Sequence, residues 1–289
     1  MSYILLLWII HRFSHYKKMA TSKIDLYSSI KDNADPVLFR KQLEHMKLQD
    51  AELVKCGLEG RTQRGSKLLE KAAQYGRKEI LKILLEFGAE RRPKDTADKG
   101  YLAVHAAAEH DHAETLQLLL KKDKGAIKVL SNGWSPLHFA MYTKSKNAFT
   151  YIVTKHKKDC FYFECQDSAF PSTHPLYFAS YCFLAGGAGG LGGSNSDINW
   201  STEEMMSELL KNGCSKEYNR EHLVIWAARD GSNFRAVKNL VEFGQASESD
   251  LEKAYRAAKE TLSETKNLNV QEKLKLILEY LEEEKMEKR

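Results

Sequence analysis

The chain holds 289 residues, 43% of them hydrophobic, which is ample for a sizeable core, and it carries a formal charge of +5. Residues 1–18 contribute Arg12, Lys17 and Lys18 and no acid; without them 41 basic residues face 39 acidic ones, so no nucleic-acid footprint survives. Five scattered cysteines (Cys56, Cys160, Cys165, Cys182, Cys214) are an odd number and point to reduced thiols rather than a disulfide framework.

In chain order, the first feature is the apolar run Tyr3–Ile10, too short to span a bilayer. It lacks a basic leader, and His11-Arg12-Phe13 follows where small residues would mark a cleavage site. Residues 1–18 are therefore expected to be disordered or a mis-annotated extension, with Met19 as an alternative start. Residues 19–64 form a predicted helical cap. There Asp35-Pro36 has the spelling of an N-cap followed by Pro in the first turn, ahead of Val37, Leu38 and Leu43.

A repeat begins at Gly65 (GSKLLEKAAQYGRKEILKILLEFGA) and returns from Gly100 and Gly133, steps of 35 and 33 residues. Ala72-Ala73 and Ala107-Ala108 are small enough for close helix approach. Gly76 marks the end of one helix before the next. Ile80, Leu81, Leu84 and Leu85 make one apolar stripe, and Leu116, Leu119 and Leu120 repeat it. Ser135-Pro136-Leu137-His138 opens the third copy with an N-cap and a helix-starting Pro.

These units resemble the ankyrin repeat. The resemblance implies an all-α ankyrin-repeat solenoid over residues 65–244, with about five units of roughly 33 residues each and helical caps at both ends. Two weaker copies follow in register. One starts at Pro175-Leu176-Tyr177-Phe178-Ala179 and resumes at Glu203, after a Gly-rich insertion at 183–200; the other runs from Leu223 to Gly244. Unit one reads Lys67-Leu68-Leu69-Glu70 in place of the Thr-Pro-Leu-His start, and unit three has Lys144 where an inter-helix Gly is expected. Residues 245–289 form the second cap. Leu251, Ala254, Tyr255 and Ala258 give one face, Leu274, Ile277, Leu278 and Leu281 another, and the tail Glu279–Arg289 is expected to fray.

Three stretches imitate chemical motifs. Gly187, Gly189 and Gly192 spell G-x-G-x-x-G, but no helix starts behind them to meet a pyrophosphate, so an inserted loop is expected. His156, Cys160, Cys165 and His174 are metal-ligand types at loose spacing, outside the paired pattern of structural zinc. His105, His138 and His112 fall on structural positions of the repeat that the resemblance implies. No catalytic residue, cofactor or metal is assigned, and no enzyme activity is expected.

The resemblance implies a scaffold that binds a protein partner on a concave surface; the cysteine usage fits a cytoplasmic compartment, and a monomer is expected. In that register Tyr75, Tyr101, Trp134, Tyr142 and Tyr181 are aromatics in slots that packing does not require, and Arg229 joins them. Two alternatives stand beside this reading. One is a bacterial effector carrying a Glu-rich C-terminal export signal (Glu282, Glu283, Glu284, Glu287). The other is a metal- or nucleotide-binding module at residues 156–194.

Overall fold

A computed structural model describes residues 26–49, 68–89, 102–161, 174–181, 200–218, 220–231 and 233–288. The apolar run at Tyr3–Ile10, the Gly-rich residues 183–199, Tyr101, Cys165 and Cys182 lie outside them, as does the side chain of Tyr181. The fold class is an all-α repeat solenoid, built from helical hairpins with one two-stranded ribbon among the described residues. Its packing divides the chain into Met1–Asn132 and Gly133–Arg289.

In the first unit a helix over 26–31 precedes α1 (Pro36–Gln49). Asp35 caps α1 as its sequence predicts: the carboxylate Oδ1 accepts the Val37 amide at 3.0 Å. The buried face differs from the expected one. Phe39, Leu43 and Met46 enter the core, whereas Val37 and Leu38 are 59% and 63% exposed. Positions 39, 43 and 46 follow the i, i+4, i+7 rule, and the first-turn pair falls off that stripe.

Two hairpins follow, α2 (Leu68–Gln74) with α3 (Lys78–Glu86) and α4 (Ala103–Glu109) with α5 (Ala113–Lys122), then a 3-10 turn at Lys124–Lys128. Ala72, Ala73, Ala106, Ala107 and Ala108 are buried where α2 packs on α4, which is why small side chains recur there. In α3 the core takes Ile80, Leu81, Ile83 and Leu84, and Leu85 is only half-buried. Because α3 packs on α1 as well as on α2 and α5, its buried face widens toward Ile83.

The inter-helix turns share one backbone state. Gly76, Asp111, Lys144 and Gly231 have φ of 64°, 59°, 59° and 63°. Lys144 thus adopts the left-handed conformation that Gly would take freely. At Gly76 the restriction is also steric, since an added Cβ would lie 2.6 Å from Nδ1 of His112.

The second unit starts with α6 (Pro136–Tyr142), α7 (Lys146–Lys155) and the single turn α8 (Lys157–Cys160), followed by α9 (Pro175–Tyr181) and α10 (Thr202–Lys211). Ser201 and Glu204 cap α10 reciprocally, amide to side chain, at 3.1 and 2.9 Å. Trp200, placed at the edge of the insertion by sequence, is instead a core residue standing edge-on to Phe149 at 4.7 Å.

A ribbon of β1 (Glu217–Tyr218) and β2 (Glu221–His222), paired Glu217 to His222, leads into α11 (Leu223–Asp230) and α12 (Phe234–Glu242). The long helices α13 (Glu248–Glu264) and α14 (Leu268–Glu287) close the unit, α13 on α11 and α14 on α13. The expected fraying is absent from the described residues. Helix α14 continues to Glu287, its Lys285 pairs with Glu252 and lies 4.7 Å from the Tyr255 ring centroid, and Lys288 donates to the Ala246 carbonyl at 2.8 Å.

No helix of the described residues is long and apolar enough to cross a membrane.

Candidate functional site

The first helices of the second unit carry a row of rings. Pro136 starts α6 and His138 fastens that start: its Nδ1 accepts the Ser135 amide at 3.2 Å and lies 2.8 Å from the Ser135 hydroxyl. Trp134, just ahead of the cap, is thereby held over the helix. Its ring is 5.6 Å from Phe139, 5.1 Å from Tyr142 and 5.2 Å from Phe178 of α9. Phe178 is fully buried and also stands edge-on to His138 at 4.8 Å. Phe139 and Trp134 are half-buried, and Tyr142 is 44% exposed. The cluster therefore has a buried floor and an open upper surface; Trp134 meets Phe139 and Phe178 in the edge-to-face geometry that aromatic quadrupoles favour and is tilted against Tyr142.

A second group sits at α11. The Trp226 indole donates to the Tyr218 carbonyl at 3.0 Å, and the two rings meet edge-on at 5.4 Å. Arg229 lies 4.9 Å over Trp226 and forks onto the Glu221 carboxylate at 3.1 and 3.4 Å. From α13, Thr261 donates to the Arg229 carbonyl at 3.0 Å.

Of the residues singled out by sequence, Trp134 and Tyr142 come into contact. Arg229 is engaged by Glu221 and Trp226, so its charge is already matched within the fold. Tyr75 is half-buried at the end of α2, in the first unit. Tyr181 ends α9, and Tyr101 is not among the described residues. Phe139, Phe178 and Trp226 were missed. A signal for them exists: in three successive copies an aromatic stands directly before the small core Ala (Ala140, Ala179, Ala227), where the first two copies have Lys71 and Ala106.

The imitation metal set does not assemble among the described residues, where no group of three or more His, Cys, Asp or Glu could hold an ion. His156 faces the Tyr151 hydroxyl at 3.3 Å. The Cys160 thiol is buried against the Ile152 and Lys157 carbonyls, and burial pushes it well above the ordinary thiol range. Burial likewise pushes Cys214 up to about 12. Burial thus disfavours the thiolate, the reactive form, at both positions.

The histidines are structural in a definable way. His105 accepts the Leu102 amide on Nδ1 at 3.0 Å and donates from Nε2 to the Val129 carbonyl at 2.9 Å. His222 does the same between the Val224 amide and the Gly244 carbonyl, both at 3.2 Å. Only the neutral Nε2–H tautomer satisfies both bonds. Burial lowers His105 to about 4 and moves His222 and His112 downward as well; His112 donates to the Gln74 carbonyl at 3.0 Å. His174, ahead of α9, is also brought by burial to about 4.

Residues 50–162 match the family model described as ankyrin repeats (3 copies), so the chain carries ankyrin repeats across that segment. A comparison with curated proteins found no match. Ankyrin repeats are a protein–protein interaction module, and the matched segment indicates that class.

Proposed function

We propose that this chain is a non-enzymatic scaffold whose second unit takes a partner protein on the open surface of Trp134, Phe139 and Tyr142. The supporting observation is the exposure of Tyr142 at 44% against a half-buried Trp134, which itself stands on buried Phe178. Rigid aromatics of this kind lose little entropy on binding and dominate interface energetics. Tyr75, Tyr101 and Tyr181 are proposed to add contacts of the same type, each in its own repeat. Arg229 is assigned a supporting part, fixing Trp226 and the β1–β2 ribbon, since its guanidinium is matched by Glu221.

The absence of enzyme activity belongs to the same proposal, and rests on the interaction role of ankyrin repeats. We assign the scaffold to the cytoplasm, as a monomer whose partners are proteins rather than nucleic acids. The free thiols of Cys160 and Cys214, and the 41 basic against 39 acidic residues that remain without residues 1–18, support that assignment. Glu282, Glu283, Glu284 and Glu287 lie on α14, which packs on α13, so we read them as part of the folded cap rather than as a free export signal.

The test is affinity purification with the full chain and with Tyr142→Ala, quantifying each co-purifying protein. Removing an interface anchor costs about 2 kcal/mol, close to thirtyfold in affinity. Loss of a partner in the variant, with an unchanged circular dichroism spectrum, supports the assignment; equal recovery refutes it.

A further inference from the structure

A cap helix is expected to present a polar outer side, and on α14 that side interleaves glutamates with exposed apolar residues. Leu268, Leu276 and Met286 are 75%, 53% and 65% exposed on it. At 100° per residue these three and Glu272, Glu279 and Glu283 fall within a wedge of about 80°. The wedge lies directly opposite the buried set Leu274, Ile277 and Leu281. It runs for about 27 Å at the helical rise.

The charge on this stripe is net acidic. Glu272, Glu279 and Glu283 are exposed and form no ion pair among the described residues, and the same holds for Glu282 outside the wedge. Glu279 and Glu283 are four apart, a like-charge spacing that destabilises an isolated helix. Two nearby cations are turned inward: Lys285 goes to Glu252 and Tyr255, and Lys288 to the Ala246 carbonyl. Lys275 is exposed about 20° outside the wedge, three residues after Glu272 and four before Glu279, so it offsets part of their charge and leaves the stripe net acidic.

We propose that the outer face of α14 is a second docking surface, and that its occupant is a basic amphipathic helix of a partner protein. Leu268, Leu276 and Met286 seat apolar side chains of that helix, and the glutamates pair with its lysines and arginines. Charge decides the occupant. A second copy of α14 would set carboxylates against carboxylates, and an anionic lipid surface would meet the same repulsion. A cationic helix relieves the Glu279–Glu283 repulsion while covering the exposed leucines and methionine.

The experiment titrates the full chain with a synthetic Leu/Lys amphipathic peptide long enough to span about 27 Å, and with its Leu/Glu counterpart, at low and high salt. Saturable binding of the Leu/Lys peptide alone is expected. It should weaken about tenfold or more in Glu279→Lys/Glu283→Lys and, separately, in Leu276→Ser/Met286→Ser. All four positions are exposed, so both variants keep the wild-type helix content, which circular dichroism checks. No binding to the wild type overturns the proposal. So does equal binding to both variants, and so does loss in the charge variant alone, which would leave the apolar seat without a part. A dimer in sedimentation at neutral pH that Leu276→Ser/Met286→Ser dissolves would show a second copy on this face and also overturn it.

Discussion

Single backbone torsions carry much of the detail in this chain. Lys144 holds φ at 59° where the equivalent turns use Gly76 and Gly231 at 64° and 63°. A left-handed non-Gly residue costs about 1–2 kcal/mol, and the extra unfolded-state freedom of Gly gives part of that back. Lys144→Gly is therefore expected to stabilise the protein by about 0.5–1 kcal/mol, read as a higher urea midpoint. An unchanged or lower midpoint contradicts the strain argument. Gly76→Ala goes the other way. Its φ is 64° and the new Cβ would lie 2.6 Å from Nδ1 of His112, which is itself fixed by the Gln74 carbonyl at 3.0 Å. We expect a loss of about 2 kcal/mol or more, measured by the same midpoint.

At the scale of elements, each helical hairpin was legible because its spelling answers a local need. Small Ala residues allow α2 to approach α4, an αL residue turns α2 into α3, and Ser135-Pro136 starts α6. What the sequence hid depends on contacts between elements. The pairing of Glu221 with Arg229 crosses from a strand to a helix, so no helical spacing announces it. Val37 and Leu38 are apolar yet exposed, because helix phase, not composition, selects Phe39, Leu43 and Met46. The docking of Lys285 on Glu252 could not be read from a tail that looked like dispersed charge. The aromatic cluster lies between these cases. Trp134 and Tyr142 were found by register, whereas Phe139, Phe178 and Trp226 follow only from comparing three copies with one another. Their burial separates two effects. Tyr142→Ala removes an exposed ring and is expected to cost below about 1 kcal/mol of stability. Phe178→Ala empties the floor and is expected to cost about 3–5 kcal/mol. Thermal melts of the two variants check the difference.

For the whole molecule, the buried histidines tie stability to pH. His105 and His174 sit at about 4, and His112 and His222 are lowered too, in each case chiefly by burial. In the unfolded chain they titrate near 6.5. Between about 6.5 and 4 the unfolded state binds more protons, so folding free energy is complete above about 6.5 and falls with acidification through that window. His105 alone accounts for up to about 3 kcal/mol of that loss. Urea midpoints taken at intervals from pH 7.5 to 4.5 should fall steadily below about 6.5; a flat profile would mean that these rings are charged or solvated in the fold.

The most direct measurement of the central claim is site-specific photo-crosslinking in cells. A benzophenone amino acid would replace Tyr142 in one strain and Thr150, exposed on α7, in another. Binding on the aromatic surface predicts one discrete adduct from position 142 and none from position 150. An adduct from 150 alone, or none from either while a partner still co-purifies, would place the interaction elsewhere and contradict the account.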